Sequence, residues 1–127
     1  MPPLDSKKFE SILEKVQKPA RYIGNEWNAA KKDFDSASAR VALCFPDLYE
    51  IGMSHLGFKI LYHLLNEQPD VACERVFTPW PDMQDVLKQE NIPLFSLEAR
   101  RPLTDFDIIG FSLEHELNYT NVLSMLS

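Results

Sequence analysis

Apolar side chains recur at helical spacing near the start of the chain, with Phe9, Ile12, Leu13 and Val16 inside 6–17 and Pro19 soon after, so the pattern predicts a short amphipathic helix ending near Lys18. Residues 20–39 show no sustained period and read as an irregular arm anchored by Tyr22, Ile23 and Trp27. From Arg40 the texture changes. Residues 41–45 are an unbroken apolar run closed by Pro46 and Asp47, as expected of a strand covered on both faces. Leu56, Ile60, Leu61, Leu64 and Leu65 then form an apolar stripe that stops at 66–69, which predicts a helix packed through that stripe. Residues 73–77 give a second strand. Residues 82–90 give a helix with Met83, Val86 and Leu87 inward and Asn91 and Pro93 as stops. A brief peripheral strand is expected at 94–97 and a third strong one at 107–113. A last helix starts at 117, with Leu123 and Leu126 spaced for burial.

Strand and helix alternate three times, and such alternation implies parallel strands joined by right-handed crossovers with helices on both faces. The expected class is α/β: an incomplete doubly wound, flavodoxin-like or Rossmann-like three-layer sheet, mostly parallel, preceded by an N-terminal helix and an irregular arm. The expected division is 1–39 for helix and arm and 40–127 for the α/β domain. Sheets of this kind bind ligands at the carboxyl ends of their strands, so the informative loops are 46–55, 78–82 and 112–119.

At 127 residues and 45% hydrophobic, one core is expected. No run approaches a membrane span and no export signal is visible, and Cys44 and Cys73 fall singly inside apolar runs, as reduced core residues do. A cytoplasmic protein is expected. Residues 1–40 hold eight Lys or Arg against six Asp or Glu, while 41–127 hold five against thirteen, summing to the net charge of −6. A net-acidic body argues against sequence-independent nucleic-acid binding, which needs phosphates neutralised.

The loop after the first strand opens a helix, where backbone N–H groups can hold an anion. It lacks both the glycine-rich dinucleotide fingerprint and the phosphate-loop Lys-Ser/Thr pair. Gly52 and Gly57 fit either ligand approach or close helix packing. His55 and His115 are placed to overlook one crevice, with capping as the alternative role, and His63 reads as structural. Glu114 and Glu116 beside His115, and Asp47 and Glu50 on the first loop, are carboxylates that would meet at the sheet's end. Trp80, between Pro79 and Pro81, is placed either to stack on a planar ligand or to close the core. No nucleophile elbow or metal-ligand spacing supports a self-sufficient hydrolase.

Five stretches carry a further signal: Lys18-Pro-Ala-Arg-Tyr-Ile-Gly-Asn-Glu26, Phe45-Pro-Asp-Leu-Tyr-Glu-Ile-Gly-Met-Ser-His-Leu-Gly57, Glu74-Arg-Val-Phe-Thr-Pro-Trp-Pro-Asp-Met83, Pro93-Leu-Phe-Ser-Leu-Glu-Ala-Arg-Arg-Pro102 and the run from Phe106 to Leu123. Together they resemble a radical S-adenosylmethionine family whose N-terminal region looks like a cobalamin-binding domain. The resemblance implies an accessory module of a radical enzyme, not catalytic by itself. Its four-iron four-sulfur cluster and S-adenosylmethionine would belong to a downstream domain, which becomes the expected partner. It also implies cobalamin as a candidate cofactor, near Gly52, His55, Gly57, Ser112 and Glu114, with a cofactor-free docking domain as the alternative. Histidine-ligating cobalamin domains carry Asp-x-His-x-x-Gly, whereas this loop reads Met53-Ser-His-Leu-Gly57, so His55 matches the cobalt-ligand position poorly and a mode without a histidine ligand stays open beside it. A complete cobalamin-type sheet has two more strands beside the third, so an unpaired apolar edge and self-association are expected here.

Overall fold

The computed structural model describes residues 4–24, 29, 32–113 and 118–126. Helix α1, Ser6–Leu13, starts at Asp5, whose carboxylate accepts from Lys7 N–H at 3.4 Å. It ends earlier than the spacing predicts, because Lys15 and Val16 N–H turn to the carbonyls of Ile12 and Leu13, and this tighter turn still carries Val16 into the core. Inside the expected irregular arm a short helix forms, α2, Ala20–Ile23. Gly24 stops it at φ +70°, where a Cβ would stand 2.9 Å from Leu97 O.

Three strands, β1 Ala39–Phe45, β2 Val71–Phe77 and β3 Ile108–Phe111, make one parallel sheet in the order β2-β1-β3. That order is the opening of the flavodoxin-like series 2-1-3-4-5. Side chains alternate across it. Val41, Leu43, Phe45, Cys73 and Phe77 pack with Phe58 and Tyr62 of α4, Leu56–Glu67, while Ala42, Cys44 and Val76 pack on the other face with Phe34, Leu103, Phe106 and Met125. A third cluster joins the N-terminal segment to α5, Pro81–Gln89: Phe9, Ile12, Val16 and Tyr22 meet Met83, Val86 and Leu87. Lys8 and Lys15 both reach Glu90 at 2.6 Å, tying α1 to the end of α5. The three inward residues expected of α5 are buried, and Asn91 closes it at φ 58° with Ile92 N–H on Leu87 O.

Two helices turn differently from their aliphatic spacing. In α4 the side facing the sheet carries Phe58 and Tyr62, with Leu65 partly buried, whereas Leu56, Ile60, Leu61 and Leu64 are about half exposed or more. The helix is apolar on two sides, and the larger aromatic surfaces fill the space over β1 and β2, where Phe58 stacks edge-on against Phe45. In α6, Tyr119–Leu126, Met125 is the residue that enters the core, and Leu123 and Leu126 face outward. The segment 94–97 forms no strand: a single antiparallel bridge joins Phe95 to Pro102, although Phe95, Ser96 and Leu97 are buried.

The outer side of β2 is closed by other groups. Lys32 Nζ donates to Val71 O, the Asn66 amide pairs with both the N–H and the carbonyl of Cys73, and Arg75 is met by Leu97 N–H on its carbonyl and by the Glu98 carboxylate on its N–H. Buried backbone groups are thereby satisfied without a fourth strand. Among the described residues no helix is long and apolar enough to cross a membrane.

Candidate functional site at the carboxyl end of the sheet

Beyond β1 the chain turns at Pro46 and Asp47 into α3, Tyr49–Met53, and on to α4. Three of the candidate residues lie on this stretch. Gly52 is buried, and any Cβ there would overlap the Phe77 ring, so its lack of a side chain lets α3 lie against the end of β2. His55 is the N-cap of α4: its Nδ1 accepts from Phe58 N–H at 3.1 Å, and its ring tilts against Phe45 at 5.4 Å. An accepting Nδ1 places the ring proton on Nε2. At Gly57 an added Cβ would come within 3.2 Å of His55 Cε1, so this glycine leaves room for the capping ring.

Ser112 follows β3 and its N–H donates to Cys44 O at 3.0 Å, which sets it beside the end of β1. Asn121 of α6 donates to Pro46 O at 2.9 Å and ties the last helix to the same corner. Glu114, with His115 and Glu116, lies outside the described residues, as does Trp27.

The loop after β2 is engaged by the N-terminal arm. Arg21 pairs with Glu50 at 2.7 Å and its guanidinium lies 5.1 Å over the Trp80 ring, while Trp80 N–H donates to Tyr22 Oη. The hydrogen bond from Arg21 holds the Glu50 carboxyl below its ordinary value. Trp80 thus stacks on a cation of its own chain, and α2 covers the carboxyl end of β2. A cleft of about 400 Å³ opens beside this corner, between Leu87, Lys88, Ile92 and Leu94 on one wall and Ser124 and Met125 of α6 on the other.

Sequence reasoning passed over the charges inside β2. Arg75 and Glu98 form an ion pair at 2.9 Å with side chains only 4% and 10% exposed. Tyr62 Oη donates to the same carboxylate and its ring lies 4.7 Å below the guanidinium. One residue earlier, on the opposite face, Glu74 is buried and accepts from Ser96 Oγ at 2.5 Å and Ala99 N–H at 3.0 Å, and burial pushes its carboxyl above the ordinary value. The signal was present, since Glu74 and Arg75 interrupt an otherwise apolar strand and charges there require partners. The partners were not legible, because both acceptors and donors lie more than twenty residues away, at 96–99.

Cys44 and Cys73 are free and buried, in clusters on opposite faces of the sheet. Burial pushes each thiol up to about 12. Among the described residues no three His, Cys, Asp or Glu side chains are grouped to hold a metal ion.

No curated protein and no solved structure matches this sequence. The segment from Gly57 onward, through α4, β2, α5, β3 and α6, does match a family model. That model describes the N-terminal region of radical SAM proteins and covers residues 57–127, more than half of the chain, which therefore belongs to this family.

Proposed function

We propose that the chain acts as an accessory module that docks against the catalytic domain of a radical S-adenosylmethionine protein through the outward side of α4. The observation that carries this reading is the two-sided apolar character of that helix. Phe58 and Tyr62 face the sheet, while Leu56, Ile60 and Leu64, four residues apart and on the opposite side, are 71%, 49% and 52% exposed. An aliphatic ridge of this kind on a water-facing helix marks a contact surface. The chain's own thiols do not fit an iron–sulfur cluster, which requires several accessible thiolates. The two present are buried, on opposite sheet faces, and held protonated. Radical chemistry therefore lies with the partner domain, and buried reduced thiols suit a cytoplasmic setting.

A corrinoid is the second reading, favoured by the ends of β1 and β3 lying side by side, with Ser112 next to Cys44, at the carboxyl end of a parallel sheet. In it the cofactor meets the surface around Ser112 and the β1 loop, and His55 Nδ1 stays on Phe58 N–H. Cobalamin would supply cobalt chemistry to the catalytic domain. Two titrations separate the readings. Calorimetry against the catalytic domain should show binding that Ile60→Glu weakens at least tenfold, and hydroxocobalamin should keep its absorbance spectrum on mixing. A saturable spectral change, with binding to the domain unaffected by Ile60→Glu, would replace the docking reading by the corrinoid one.

A further inference from the structure

Helix α5 turns two sides to its surroundings. Met83, Val86 and Leu87 are buried in the cluster shared with the N-terminal segment. Gln84 and Lys88, one turn apart, and Asn91 just past the helix end line the cleft of about 400 Å³ between α5 and α6. The apolar lining of that cleft includes Leu94 and Met125, which belong to the cluster built on Ala42 and Cys44 of β1. The cleft thus sits over the central strand, on the face of the sheet opposite α4, and docking through the α4 ridge leaves it accessible.

Charge in the cleft runs against the charge of the segment around it. Lys88 is the only charged residue among the described ones that line it, in a stretch where acidic residues outnumber basic ones thirteen to five. Among the described residues neither the Lys88 ammonium nor the Asn91 carboxamide has a hydrogen-bond partner, whereas Gln84 Nε2 donates to Pro79 O at 2.8 Å. We propose that the cleft binds a small organic carboxylate with an apolar body, its carboxylate on Lys88 Nζ and the Asn91 amide and its body against Leu87, Leu94 and Met125. The volume suits a small molecule, whereas a partner helix would need a groove several turns long. A neutral ligand would leave the ammonium unused. A polyanion such as a phosphate ester would have one cation to hold it in acidic surroundings, so a monoanion is the better match.

The test is a titration of the 127-residue chain with phenylbutyrate, indoleacetate and octanoate, each beside its neutral amide, followed by heteronuclear NMR. Signals of Lys88, Asn91, Leu94 and Met125 should shift saturably with at least one of the acids. Its neutral amide should bind about fivefold more weakly, the loss of one ion pair at the protein surface. Lys88→Gln should weaken the acid by the same factor and leave the amide unchanged, and Lys88→Arg should restore the preference. Lys88 is exposed, so both variants should keep the spectrum of the parent fold. A folded chain that shows no saturable shift with any of the three acids overturns the proposal. Shifts confined to other residues, equal binding of acid and amide, or binding that Lys88→Gln does not weaken also overturn it.

Discussion

Gly52 and Gly57 look alike in the sequence, five residues apart on one loop, yet the structure gives them different tolerances. At Gly52 a methyl group would run into the Phe77 ring, itself 7% exposed and packed against Tyr49 and Phe58. Gly52→Ala should therefore cost about 1–3 kcal/mol through overpacking. At Gly57 the nearest atom is His55 Cε1 at 3.2 Å, and the gain in helix propensity of up to about 1 kcal/mol offsets the tight contact. Gly57→Ala should stay within about 0.5 kcal/mol of the parent. Denaturant midpoints of the two variants measure the contrast directly. Glu74 gives the other residue-scale prediction. Burial raises its carboxyl above the unfolded value, so between the two values the native state holds a proton that the unfolded chain has released. Stability attributable to this group falls as pH rises through that window. Glu74→Gln keeps an acceptor for Ser96 Oγ and Ala99 N–H and has no proton to lose. Its stability relative to the parent should increase from acidic to neutral pH, and a difference independent of pH would show that Glu74 does not titrate in this range.

Among the elements, β2 is held by its partners outside the sheet as much as by β1. Glu98 accepts from Arg75 N–H, Arg75 Nε and Tyr62 Oη, and so links the edge of β2 to α4 and to the 96–99 segment. Removing its carboxylate takes away the counter-charge that meets Nε of a guanidinium with 4% exposure. Glu98→Ala is expected to cost about 3–5 kcal/mol, read as a loss of urea midpoint. A loss below about 1 kcal/mol would mean that Arg75 reaches water in the variant and that the pair contributes little. The strand was readable from its apolar residues. The apparent exception, Glu74-Arg75, was the part that needed the third dimension, because the compensating groups come from 96–99 and from α4.

For the molecule as a whole, two apolar clusters line the two faces of the sheet and a third joins the N-terminal segment to α5, with Phe9 and Phe95 in edge-on contact at 5.8 Å. The two thiols sit on opposite faces, each buried and pushed up to about 12. They should resist alkylation in the native protein and label together, at the rate of global opening, as denaturant is added. Early labelling of one thiol alone would reveal that its face of the sheet opens separately. Family membership rests on residues 57–127. Of the candidate site residues, Gly52 and His55 precede that segment and serve packing and capping in the structure, whereas Gly57, Ser112 and Glu114 fall within it.

The sequence by itself determined the alternation of the three strands with α4, α5 and α6, the parallel sheet and the inward face of α5. Unbroken apolar runs and a 3.6-residue period are local consequences of burial. Tertiary structure alone decided which side of α4 and of α6 turns inward, because both helices carry apolar residues on more than one side and the shape of the sheet chooses between them. It also placed His55 and Gly57, which precede or open α4: the 3.1 Å contact from Phe58 N–H to Nδ1 makes His55 the cap of that helix, and Gly57 leaves room for its ring. The closing of the β2 edge is of the same kind, since hydrogen-bond partners distant in sequence are brought together only by the folded chain.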